Sequence, residues 1–185
     1  METLIYLDNA ATAFPKPEPV YRFMDQFLRR AGVNPGRAGY DLCIEAGQLV
    51  DEARRQLSRL FGGTDPNRLV FTSNSTDALN LALFGVLQRG DHALTTTIEH
   101  NSVLRPLHHL ARDYGVEVEH VPFDANGFID PDDVARLFRP RTRLVAVNHA
   151  SNVIGTVQPL AEIGRSRSMW APWRSTCWPL PDTSH

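Results

Sequence analysis

The 185-residue chain is 42% apolar and 22% charged, the balance of an ordinary globular protein, and it can bury one good core or most of one large domain. Its formal charge of −2 leaves no basic stripe to neutralise phosphates, which argues against nucleic acid as a main partner. No apolar run approaches membrane-spanning length, the polar start Met1-Glu2-Thr3 is not a signal peptide, and Cys43 and Cys177 lack metal-type spacing. The expectation is a cytoplasmic protein with no metal site, no membrane partner and no disulfide framework.

Met1–Pro19 reads as an extended arm, with Pro15, Pro17 and Pro19 within five positions and the chain's only lysine, Lys16, between them. Helical spacing of Val20, Phe23, Met24, Phe27 and Leu28 predicts a helix over Val20–Arg30 that stops at Gly32. Asn34–Tyr40 is a glycine-rich loop, and Leu49, Val50, Ala53, Leu57 and Leu60 predict a second amphipathic helix over Glu45–Phe61, ended by Gly62-Gly63.

From there the pattern alternates. Strands are expected at Arg68–Thr72, His92–Thr96, Val116–Val121 and Leu144–Val147, and helices at Asp77–Leu87, Ser102–Tyr114 and Pro131–Phe138. Strand–helix alternation with short turns predicts an α/β fold with a mainly parallel sheet, helices on both faces. Ligands of such sheets gather outside the carboxyl ends of the strands.

Three polar clusters fall at those ends. Phe71-Thr72-Ser73-Asn74-Ser75-Thr76-Asp77 runs from a strand into a helix whose unpaired N–H groups suit a phosphate; alternatively Ser75 or Thr76 simply caps that helix. Thr95–Ser102 places His100 after the next strand, as a functional residue or as a surface or capping one. Asn148–Gly155 carries Asn152, whose amide suits a ring oxygen or a carboxylate, or plain turn chemistry.

Together Tyr6–Thr12 (Tyr-Leu-Asp-Asn-Ala-Ala-Thr), Phe71–Asn80, Ile98-Glu99-His100-Asn101-Ser102 and His149–Gly155 resemble the cysteine desulfurases of class V aminotransferase type, over roughly the first 165 residues. The resemblance implies a fold-type I pyridoxal 5′-phosphate (PLP) dependent transferase large domain. It implies that Ser75 and Thr76 hold the PLP phosphate, and that His100 stacks on the ring and takes part in proton transfer. Asn152 would lie beside the ring's phenolic oxygen and the substrate carboxylate. The Asn34–Tyr40 loop, with Arg37, would line the substrate entrance, and Asn9 and Ala10 would pass near the substrate. It further implies a homodimer, an L-cysteine-like amino-acid substrate yielding alanine, and a sulfur-acceptor protein.

The resemblance then breaks off. The family's ring-nitrogen aspartate, Schiff-base lysine and sulfur-accepting cysteine are expected after Asn152, and none is visible. Instead the tail from Arg165 to His185 holds all three tryptophans and three prolines without periodicity. This gives an expected organisation of arm and first helix at 1–35, a truncated PLP-binding large domain at 36–165, and an aberrant tail at 166–185. The tail reads as a frameshift product. Shifted two bases downstream at Trp170, a GC-rich coding sequence yields Gly-Ala-Leu-Ala-Val-Asp, an apolar strand ending in aspartate. The competing reading is a natural short protein with a genuine Trp/Pro-rich tail.

Three functions follow from these residues. The first is a desulfurase-type enzyme, catalytically incomplete as 185 residues because the Schiff-base lysine is missing. The second is a non-catalytic fragment or half-site partner. The third is a phosphate-binding module that uses Ser75 and Thr76 without PLP chemistry. Selenocysteine lyase and other class V aminotransferases fit the same residues.

Overall fold

The computed structural model describes residues 4–36 and 39–165, so Arg37, Cys177 and the tail 166–185 lie outside the described residues. The chain divides into two compact units between Val70 and Phe71.

In the first unit the arm is folded on itself: the Tyr6 hydroxyl donates to the carbonyls of Asp8 and Thr12, both at 3.0 Å. Helix α1 spans Glu18–Ala31, entered through Pro17 and left at Gly32, much as the apolar spacing predicts. Helix α2 spans Asp41–Leu60 and starts four residues before the expected Glu45. Its apolar stripe begins late, but Asp41 in the first turn suits the positive end of the helix dipole and extends it.

The strand expected at Arg68–Thr72 is not formed. Pro66–Arg68 is instead a 3-10 turn, with the Asp65 carboxylate accepting from the Asn67 N–H at 3.0 Å. Local capping with Pro at the first position wins there, and although Leu69 is extended, the following residues join no ladder among the described residues.

The second unit runs α3 Ser75–Val86, β1 His92–Thr95, α4 Asn101–Tyr114, β2 Glu117–His120, α5 Pro131–Leu137, β3 Thr142–Ala146 and α6 Leu160–Arg165. The strands form a parallel sheet in the order β2-β1-β3, with His92 opposite both Glu117 and Thr142. An irregularity beside His92 skips Arg143, so that Ala93 faces Leu144. Side chains alternate across the pleat, which puts neighbouring residues of β1 into different cores. Ala93 packs with Leu83 of α3, with Leu87 just beyond it, and with Val103, Leu107 and Leu110 of α4. Leu94 packs with Val121, Ile129, Val134 and Ile163, the last two from α5 and α6. The sheet is thus covered on both faces, as expected of the α/β class, and β1 is buried along its whole length.

The two flanking strands differ. Strand β2 is Glu-Val-Glu-His and reads as a protected edge, whereas β3 continues through Leu144, Val145, Ala146 and Val147, apolar on both faces yet only half-buried.

Candidate functional site

The site lies where α3 and α4 begin, beyond the carboxyl end of β1. Asn74 is the N-cap of α3: its Oδ1 accepts from the Asp77 N–H at 2.9 Å. That assignment settles the capping alternative, because the cap is Asn74 and neither Ser75 nor Thr76. Both of those residues stay exposed on the first turn, where free N–H groups and the helix dipole favour an anion.

His100 is the N-cap of α4. Its Nδ1 accepts from the Ser102 N–H at 3.1 Å and lies 2.7 Å from the Ser102 hydroxyl. An Nδ1 that accepts from a backbone N–H assigns the proton of the neutral ring to Nε2. His100 therefore caps its helix and is exposed at the same time.

Thr76 and His100 line one groove of about 490 Å³ between the two helices. Its walls are two stripes at helical spacing: Thr76, Asn80 and Phe84 on α3, and Asn101, Arg105 and His109 on α4. The groove is polar at the helix N-termini and aromatic further in, where the Phe84 and His109 rings lie 5.8 Å apart. Asn80 is fixed by donating to the Thr76 carbonyl at 2.8 Å. Sequence reasoning missed Arg105 and His109 as lining residues. The signal was their i, i+4, i+8 spacing from Asn101.

Asn152 does not line that groove. It sits in the turn of a small hairpin that follows β3, closed by the Ala150–Val157 bridge and by the Ser151 N–H donating to the Thr156 carbonyl at 2.9 Å. The base of the hairpin is pinned by buried Gln158, whose Nε2 donates to the Gly127 carbonyl at 2.6 Å and whose Oε1 accepts from the Ile129 N–H at 3.0 Å. Next to it, the N–H of Phe128 above all, helped by those of Asn126 and Gly127, holds the Asp124 carboxyl below its ordinary range against the opposing effect of burial.

Asn9 and Ala10 belong to the first unit, where Asn9 Oδ1 accepts from the Phe14 N–H at 3.2 Å. Lys16 is in the same arm, and its Nζ donates to the Ala13 carbonyl at 3.1 Å and to the Thr12 hydroxyl at 3.4 Å. Arg37 lies outside the described residues.

This donor set fits a phosphorylated aromatic cofactor in two respects. Exposed hydroxyls at an open helix N-terminus suit a phosphate, and an imidazole on the adjoining helix end suits a ring. No lysine lines the groove among the described residues.

The aminotransferase class-V family model matches residues 5–169. The chain is 35% identical over 169 residues to the cysteine desulfurase IscS of Dictyoglomus turgidum, covering 89% of this chain and 42% of that protein. The apo structure of a cysteine desulfurase from Thermococcus onnurineus NA1 superposes with a TM-score of 0.79 at 33% identity, covering 86% of this chain and 40% of that one. SspA in complex with cysteine gives a TM-score of 0.77 at 30% identity, with 88% and 47% covered. The chain spans about two fifths of the length of the curated relatives it matches. With the sheet, the two helix N-termini and this match over 5–169, the chain belongs to the aminotransferase class-V family, in a fold shared with cysteine desulfurases.

Proposed function

We propose that this chain supplies the phosphate- and ring-binding half of a PLP-dependent cysteine desulfurase site. The observation that carries the reading is the single groove lined by both Thr76, on the open first turn of α3, and His100, at the start of α4. PLP, when bound, supplies an electron sink for breaking bonds at an amino-acid Cα. Ser75, Thr76 and the first-turn N–H groups hold its phosphate. His100 covers the ring and holds a proton at Nε2. Asn152, which stands outside the groove, is assigned to the ring oxygen and the substrate carboxylate on the family's sequence pattern. Asn9, Ala10 and Arg37 are assigned to the substrate on the family's sequence pattern alone. The substrate class is an L-cysteine-like amino acid, with sulfur passing to an acceptor thiol and alanine as the other product.

These 185 residues alone are not expected to turn over, because their one lysine is Lys16 and its Nζ is engaged within the arm. A second reading, a half-site completed by a further segment of the family fold, is favoured by β3, which is apolar on both faces and is an outer strand of the described sheet.

Binding by PLP, pyridoxal and inorganic phosphate, compared by equilibrium dialysis, tests the assignment. PLP should bind more tightly than either part, and Ser75→Ala with Thr76→Ala should weaken it roughly tenfold through lost bonds to a charged group. Inorganic phosphate binding as tightly as PLP would mark a plain phosphate module and overturn the proposal.

A further inference from the structure

Glu99 is a buried carboxylate, 9% exposed, at the turn between β1 and α4. Its Oε1 accepts two hydrogen bonds: from the buried Thr96 hydroxyl at 2.7 Å, and from the Asn148 backbone N–H at 2.9 Å. The first closes the β1–α4 turn on itself. The second crosses to the segment leaving β3, the parallel neighbour of β1. A carboxylate is costly to bury unless its oxygens are satisfied, so a position that keeps one inside is tied to its partners. Here those partners stand on the two loops that the proposed site needs. His100 is the next residue along the chain, and Asn152 lies four residues beyond Asn148.

We propose that Glu99 is a positioning residue: by tying the His100 turn to the segment that leaves β3 at Asn148, it holds the His100 ring at the ring end of the ligand in the groove. This rests on the reading of the groove as a cofactor half-site and adds to it a residue that touches no ligand itself. The phosphate end is independent of Glu99, because α3 is organised by its own bonds, Asn74 to Asp77 and Asn80 to Thr76. The two ends of the ligand should therefore respond differently to a change at position 99, whereas a merely structural role would weaken both alike.

The test measures dissociation constants of the full chain for inorganic phosphate and for PLP, with folding followed by circular dichroism, in the wild type, Glu99→Ala, Glu99→Asp and Glu99→Gln. Glu99→Ala should leave phosphate binding within about twofold and weaken PLP roughly tenfold, the loss expected of one charged hydrogen-bond link. Glu99→Gln keeps an oxygen acceptor at the same reach and should restore PLP binding to within about threefold of wild type. Should Glu99→Ala fail to fold, Glu99→Asp decides: it keeps the charge, falls a methylene short of Asn148, and should still lose PLP selectively. A folded Glu99→Ala or Glu99→Asp with an unchanged ratio of PLP to phosphate affinity overturns the inference, as does a Glu99→Gln as impaired as Glu99→Ala. A wild type that binds PLP no better than phosphate overturns the half-site reading itself, and this assignment with it.

Discussion

His92 and Glu119 meet across β1 and β2, with the fully buried imidazole Nε2 3.2 Å from the carboxylate Oε2. On the other side of the ring, Nδ1 lies 2.8 Å from the Thr142 hydroxyl, which itself accepts from the Arg139 N–H at 2.7 Å. This pattern suits a neutral ring, with Nε2–H donated to Glu119 and the Thr142 hydroxyl donated to Nδ1. Burial first, then the charge of Arg139, lowers the His92 pKa below its usual 6.5, against the opposing pull of Glu119 and Glu117.

The sign of the pH effect follows. Above pH 6.5 the ring is neutral folded and unfolded, and its contribution is fully present. As pH falls below 6.5 the unfolded chain takes up the proton first, so stability drops until the folded ring also protonates. Urea melts at pH 7.5, 6.5 and 5.5 should show this loss, and an NMR titration should place His92 below 6.5. A His92 that titrates above that value would contradict the account.

Asn74 should matter for stability through its cap on α3. Asn74→Ala removes the acceptor for the Asp77 N–H and should cost about 1 kcal/mol in urea denaturation, while Asn74→Asp should retain most of the stability.

Gln158→Ala leaves the Gly127 carbonyl and the Ile129 N–H without their partner inside the protein. Each such group costs about 1–3 kcal/mol. The variant should lose several kcal/mol if the hairpin stays packed, or show faster proteolysis near Asn152 if water enters instead. A variant unchanged in both measurements would show that Gln158 does not pin the hairpin.

Gly127 is under two constraints. Its φ is +83°, and an added Cβ would come 2.4 Å from the Ile154 Cδ1 of the hairpin. The half-exposed end of Ile154 can swing aside, so Gly127→Ala should destabilise by roughly the 1–2 kcal/mol of the left-handed backbone. Adding Ile154→Ala should recover little of that loss, and a double-mutant cycle should show the two changes close to additive.

Elements with a local cause were legible in the sequence, and those with a distant cause were not. The apolar spacing of Val20, Phe23, Met24 and Phe27 marks α1, and the alternation from Asp77 onward marks the parallel sheet. The polar clusters at the starts of α3 and α4 single out Thr76 and His100, which line one groove. Arg68–Thr72 misled because its apolar residues resemble a strand, while Asp65 and Pro66 fix a 3-10 turn at its start. Capping by Asn74 needed backbone geometry to separate it from Ser75 and Thr76. The role of Glu99 and the hairpin around Asn152 were invisible, since each depends on bonds spanning tens of residues: Glu99 to Asn148, Gln158 to Gly127.

The central claim is a cofactor half-site with no anchoring amine of its own. It is tested most directly by saturating the purified chain with PLP, treating it with borohydride and mapping any modified residue by mass spectrometry. The account predicts that PLP binds reversibly, is removed by dialysis, and leaves no stoichiometric pyridoxyl group on Lys16. A borohydride-fixed pyridoxyl group mapped to Lys16 would contradict it, and would show that these 185 residues hold the cofactor covalently by themselves.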